Sequence, residues 1–391
     1  NKYKIKFISS GGTYKYIKKL GFNCEEVSKY TNSAEILSGR VKTLHPKVHA
    51  GILANRKSKS HRIDLKKNNY DEIDLVIVNF YPFEKTLKQT KNHEKIIENI
   101  DIGGPTMVRA AAKNYKDVTV ITNVSQYKSL IKNINQYGGS TSLEFREHAA
   151  LEAFGETAYY ESLIYNYLSE ISANEFSKKI VLGLNRIEEL RYGENPHQKA
   201  AIYGISKDLG LNKLNGKPLS YNNFCDIFAA LDISKSFPKN TGTVIVKHGN
   251  PCGASIYENY TESFKLAYKC DPISAFGGIV ACNFKIKKKL ANELNKLFFE
   301  VIIGNGFDND ALSILKRKKN VRLINSKNYK ISNKYSLISN MNFAIAQNPN
   351  IKKFKYSDFK IVSKIIFSTK FKPLVITRDL KSKTMKILNC I

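Results

Sequence analysis

Between Ser38 and Ala54 the chain reads S-G-R-V-K-T-L-H-P-K-V-H-A-G-I-L-A, which sets Arg40, Lys42, His45, Lys47 and His49 within ten residues. Arginine offers a planar fork that grips phosphate or carboxylate. Lysine offers a compact cation that can be made a base, and Thr43 adds a hydroxyl. The same composition fits a solvated basic loop of a lysine-rich chain. A second concentration of chemistry is Lys247-His248, between an apolar run and the turn G-N-P-C-G. Histidine titrates near neutral pH, so at the end of a buried strand it is a general acid/base candidate, whereas elsewhere such a pair would be surface decoration. A third is S-S-G-G-T, Ser9, Ser10, Gly11, Gly12 and Thr13. Strand, glycine turn and helix together aim backbone N–H groups at an anion, although most such turns bind nothing.

The elements that must hold these groups follow from pattern. Lys4 to Ser9 reads as a strand and Tyr14 to Leu20 as a helix. A glycine before it and a proline inside it argue that the 38–54 stretch is a loop entering a short strand. Asp74 to Tyr81 is an apolar run of strand length that delivers Asn79 and Tyr81 at its C-terminal end, where ligands bind in open α/β sheets. In D-I-G-G-P, Asp101 and Gly103 precede a helix predicted over 105–114, with Met107, Val108, Ala111 and Ala112 buried and Arg109 and Lys113 on the other side. Asp101 suits a helix cap as well as a ligand contact. Strands and helices alternate onward through 118–122, 126–136 and 143–171, which predicts a doubly wound α/β layer. The polar segment 173–179 is the linker candidate, dividing the chain into domains 1–172 and 180–391.

In the second half, 180–185 reads as a strand. R-Y-G-E-N-P-H-Q then forms a loop displaying Arg191, Tyr192, His197 and Gln198, because Asn195 before proline is extended. A turn-rich stretch brings Asn223, and a helix is predicted over 226–234. The run 243–246 is a buried strand ending in Lys247 and His248, followed by a loop-strand unit over 271–283, a helix over 290–299 and a strand over 300–304.

At 391 residues and 42% apolar composition the chain can bury two or three cores, and wholesale disorder is excluded. No uninterrupted apolar run is long enough to cross a bilayer. The opening alternates lysine with apolar residues like a half-buried strand rather than a signal peptide. Six scattered cysteines with no C-x-x-C pair read as reduced, mostly core thiols of a cytoplasmic protein with no metal site. The net charge of +29 invites a nucleic-acid reading. Spread along the whole chain among asparagines and isoleucines, it fits compositional drift on solvated faces better, and no nucleic-acid motif answers it.

R-V-K-T-L-H-P, with S-S-G-G-T, N-F-Y-P-F and I-D-I-G-G-P, resembles the IMP cyclohydrolase half of the bifunctional purine-biosynthesis family PurH. L-R-Y-G-E-N-P-H-Q, V-K-H-G-N-P-C-G and D-P-I-S-A-F-G-G resemble its AICAR transformylase half, and the blocks run in order to about residue 325. The resemblance implies a methylglyoxal-synthase-like doubly wound domain followed by a partial cytidine-deaminase-like transformylase domain. It implies formyl transfer from the cosubstrate 10-formyltetrahydrofolate to AICAR, giving FAICAR, and closure of FAICAR to IMP, by a homodimer that needs neither metal, membrane nor nucleic acid. It places Lys42, Tyr81, Asp101 and Lys113 in cyclization, and Ser9 to Thr13, Arg40, Thr43, Asn79 and Gly103 around the nucleotide. Lys247 and His248 carry the transfer, beside Arg191, Tyr192 and Asn223. Against the family pattern the chain begins after an S-x-S-D-K-T-G turn, and 369–391 lacks the K-S-N-A-I strand, glycine-rich loop and S-D-A-F-F-P-F segment. This predicts a fragmentary or eroded member that does not transfer formyl groups alone. Rival readings are a basic nucleic-acid-binding protein and a regulatory domain that binds a phosphorylated metabolite without turnover.

Overall fold

In the second half, runs such as V-I-V, I-V-A-C and V-I-I-G carry no polar side chain, as strands covered on both faces require. The computed structural model describes residues 2–172, 176–205 and 208–330, with the strands Ser336–Asn340, Phe343–Gln347, Leu374–Asp379 and Thr384–Asn389. It divides into two compact units, Asn1–Gly183 and Leu184–Ile391. Part of the predicted linker, Cys390 and parts of 369–391 lie outside the described residues.

The second unit is built on an eight-stranded sheet in the order Leu374–Asp379, Thr384–Asn389, Asn250–Ile256, Gly242–Lys247, Ile279–Cys282, Val301–Gly304, Arg322–Asn325, Asn212–Asn215. Val301–Gly304 runs parallel to both neighbours, and every other pairing is antiparallel. Successive residues point to opposite faces. Ile245, Val280, Ile302 and Leu323 therefore join one core, with Phe264, Leu290, Leu294 and Leu315 from the helices Tyr260–Cys270, Lys288–Asn295 and Asn309–Leu315. Val244, Val246, Ile279, Ala281, Val301, Ile303 and Ile324 join the other, against Phe224, Ile227 and Leu231 of the helix Tyr221–Ser236.

In the first unit, Leu75–Ile77 pairs in parallel with Thr119–Ile121, and Phe7–Ser9 with Cys24–Glu26. Helix Gly103–Lys113 buries Val108, Ala111 and Ala112 against Val118, Val120 and the Ala149, Ala150 and Ala153 stripe of the long helix Leu143–Ile171. Small residues on both helices let the backbones approach closely.

Several local expectations are corrected. The 38–54 stretch contains no strand: Pro46 occupies the first turn of an α-helix, Pro46–Leu53, where its missing N–H is harmless, and the His45 ring caps that helix by accepting the Lys47 N–H at 3.1 Å. The first strand begins only at Phe7, since Lys4 has a positive φ of 52°. The strand predicted over 180–185 starts at Asn185 and runs to Leu190. Of the described cysteines only Cys252 and Cys282 are buried, and Cys225 is exposed.

Ile245 is fully buried at the centre of the large sheet. Ile245→Ala is expected to cost about 2–5 kcal/mol, lowering the urea midpoint of the second unit. An unchanged midpoint would contradict the packing described.

Candidate functional site

Segments far apart in the first unit meet around Lys42. A methyl group built on Gly11 would lie 3.8 Å from the Lys42 amine, and one on Gly39 2.6 Å from Lys42 Cε, so both glycines leave space the lysine occupies. Glu35 balances that amine at 3.0 Å. Thr43 lies against the first residue of helix Gly103–Lys113, where a methyl group on Gly103 would sit 2.8 Å from Thr43 Oγ1. Asp101 Oδ1 accepts the Gly104 N–H at 2.8 Å, so the carboxylate does cap the helix. The Asp101 N–H donates to the Tyr160 hydroxyl at 2.8 Å; burial raises the pKa of that hydroxyl, with Asp101, Glu161 and, least of all, Tyr81 adding to the rise.

Ser10 is the N-cap residue of helix Gly11–Lys19 but makes no side-chain cap, and Gly11 takes a positive φ of 54°. Ser9 ends the strand before it, and Gly12 and Thr13 lie in the first turn. Arg40 is ion-paired to Glu98, with both side chains largely exposed. Asn79 donates to the Tyr127 hydroxyl at 3.3 Å. Lys113 is not brought to this cluster. It is the last residue of the helix whose first residue is Gly103, and ten residues of helical rise separate the two by about 15 Å. Glu35, Glu98 and Tyr160 belong to this neighbourhood and lie outside the motifs that flagged it.

In the second unit Lys247 and His248 do stand at the end of a buried strand, but that strand is antiparallel to both neighbours, so they occupy a hairpin tip rather than a parallel-sheet edge. Lys247 Nζ donates to the Phe276 carbonyl at 2.8 Å. Asp226 accepts backbone N–H groups of His248 and Gly249. Nearby, the Asp271 carboxyl is held below its ordinary range by the hydroxyl and N–H of Ser274. Burial first, and Asp271 second, push the Cys252 thiol up to about 11, which keeps it an unreactive thiol at neutral pH.

Asn223 is buried, and both ends of its amide are engaged: Oδ1 accepts the Ser220 N–H at 3.2 Å and Nδ2 donates to Glu300 at 3.0 Å. It therefore caps helix Tyr221–Ser236 and orients Glu300. Arg322 meets Glu300 at 3.4 Å, and burial lowers its pKa, with Arg191 adding to the same direction. Arg191 lies over the Tyr192 ring at 5.1 Å. Glu300 and Arg322 carry no motif, and only the folded sheet brings them to Asn223. Among the described residues no group of three His, Cys, Asp or Glu side chains stands close enough to hold a metal ion, and no helix is long and apolar enough to cross a membrane.

Each of the two α/β units gathers polar side chains at strand ends and helix starts. The family comparison is specific. The MGS-like domain model matches residues 1–106 and the AICARFT/IMPCHase bienzyme model matches residues 111–379, past the last motif read near Ile324. The chain belongs to the AICARFT/IMPCHase bienzyme family. It is 46% identical over 332 residues to the bifunctional purine biosynthesis protein PurH of Thermoanaerobacter sp. (strain X514), covering 84% of this chain and 65% of that protein. It is 42% identical over 365 residues to the PurH protein of Caldicellulosiruptor saccharolyticus, covering 91% of this chain and 71% of the relative. Against the PurH protein of Fusobacterium nucleatum the figures are 44% over 366 residues, 92% and 71%. The chain thus spans less than two thirds of the first of these relatives.

His49, on the helix Pro46–Leu53, is half-buried with Nε2 unpartnered among the described residues, and burial lowers its pKa. The native state keeps it neutral where the unfolded chain, titrating at about 6.5, binds a proton, so stability is lost as pH falls through that value. The first unit is expected to lose stability to urea between pH 7 and pH 5.5, and His49→Gln to lose less. Equal losses in the two proteins would contradict this.

Proposed function

We propose that this chain carries the last two steps of purine biosynthesis: formyl transfer from 10-formyltetrahydrofolate to AICAR, giving FAICAR, and closure of FAICAR to IMP with loss of water. The match of the bienzyme family model on to residue 379, past the last motif, supports transfer against the expectation that the chain cannot transfer formyl groups alone. The first unit, about 1–172, performs the closure and the second, from about 180, the transfer. The observation that carries the reading is the meeting of Gly11, Lys42, Thr43, Asp101 and Gly103, residues of separate motifs, in one neighbourhood.

In ring closure the carboxamide nitrogen attacks the formyl carbon and the formyl oxygen departs as water. Lys42, Tyr81 and Asp101 move protons between these atoms. Ser9, Ser10, Gly11, Gly12, Thr13, Arg40, Thr43, Asn79 and Gly103 hold the nucleotide, whose phosphate displaces Glu98 from Arg40. Lys113 belongs to this reaction only if it acts from the far end of its helix. In formyl transfer the AICAR amine attacks the formyl carbon of the folate. His248 accepts the amine proton, Lys247 stabilises the developing charge on the formyl oxygen, and tetrahydrofolate leaves. Arg191 and Tyr192 hold the nucleotide, with Asn223 acting through Glu300. The protein works in the cytoplasm and as a homodimer, the second supported by exposed apolar side chains such as Ile273 and Phe276 beside the Lys247 contact.

The test is to supply FAICAR to the purified protein and follow IMP. Lys42→Ala is expected to lower the rate at least about a hundredfold, the scale of a lost proton-transfer group. Unchanged turnover would remove Lys42 from the mechanism, and no IMP from the unaltered protein would overturn the cyclization reading.

A further inference from the structure

The strand Gly242–Lys247 turns back on itself through two residues. Lys247 pairs with Asn250, and His248 and Gly249 between them have φ values of 52° and 75°. Positive φ at both central positions marks a type I′ hairpin, which favours Asn-Gly or Asp-Gly. Gly249 suits it, whereas a histidine there is held against its own backbone preference.

What holds it comes from another element. Asp226, in the helix Tyr221–Ser236, accepts the His248 N–H with Oδ2 at 3.2 Å and the Gly249 N–H with Oδ1 at 2.6 Å. Two consecutive N–H groups converge on one point in a turn of this kind, and a carboxylate with both oxygens free takes both. Asn250 Nδ2 adds a tie to the His248 carbonyl at 3.1 Å. The His248 ring is on an exposed residue and makes no hydrogen bond among the described residues, so its direction is set by its backbone.

We infer that Asp226 is the positioning residue of the formyl-transfer centre. It touches no reacting atom. It clamps the turn from which His248 and Lys247 project, so that the imidazole meets the attacking amine in one orientation. The inference rests on the formyl-transfer reading above. Proton transfer falls steeply when base and acceptor are misaligned, while binding through Arg191 and Tyr192 does not depend on this turn.

Asp226→Asn retains one acceptor oxygen and sets an NH₂ donor against the other backbone N–H. It is expected to lower kcat for formyl transfer about 10- to 100-fold with the KM for AICAR within about threefold, and Asp226→Glu to restore part of the loss. Hydrogen exchange at the His248 and Gly249 amides is expected to quicken at least about tenfold in Asp226→Asn, with the amides of Val244 and Val246 unchanged. Exchange at the turn equal to that of the unaltered protein would overturn the inference, as would a kcat that falls only in proportion to the folded fraction. Should the unaltered protein show no formyl transfer, the reading beneath the inference falls, and the exchange data alone decide whether Asp226 holds the turn.

Discussion

Thr243, Val244, Ile245 and Val246 are shut away from water on both sides of a sheet, and Lys247 and His248 are joined directly to that strand. Full burial of each apolar side chain is worth about 1.5–3 kcal/mol, while one non-glycine residue in a left-handed conformation costs roughly 1–2 kcal/mol. Packing therefore wins over the local preference of His248, and the turn forms where the strand ends. The sheet can hold its position because Val301–Gly304 and its neighbours are equally buried and two separate cores grip alternate residues. The polar pair is thus placed by the hydrophobic effect acting some residues away.

The first unit reaches a polar cluster by a different route. No long buried strand delivers Lys42; instead a helix start, a capping carboxylate and glycines without side chains leave room for it. The charges there are balanced within the chain, Lys42 by Glu35 and Arg40 by Glu98. Exposed ion pairs of the Arg40 kind contribute little and yield readily to a better anion. The proposed nucleotide phosphate is such an anion, offering a planar fork the bidentate contact it suits.

Much of this was legible in the sequence. The helix Leu143–Ile171 spans the range its pattern predicts, and the run at 243–246 announces itself as a buried strand through the successive apolar residues Val244, Ile245 and Val246. Helix Pro46–Leu53 was not, because a proline reads as a breaker unless the residue before it is known to cap. Lys113 illustrates a second limit: a motif position fixes neighbours in sequence, and only the helix shows that rise carries it away from Asp101. Asp226, Glu300 and Arg322 are silent in one dimension, since a carboxylate acquires its role from the N–H groups or cations that folding brings to it.

The most direct measurement gives the purified protein AICAR and 10-formyltetrahydrofolate together and follows tetrahydrofolate and IMP in the same reaction. If one chain performs both chemistries, the two products rise in equal amounts without added enzyme. Tetrahydrofolate with FAICAR accumulating would deny the first unit its ring closure. No tetrahydrofolate at all, with FAICAR still converted to IMP, would deny Lys247 and His248 their proposed role.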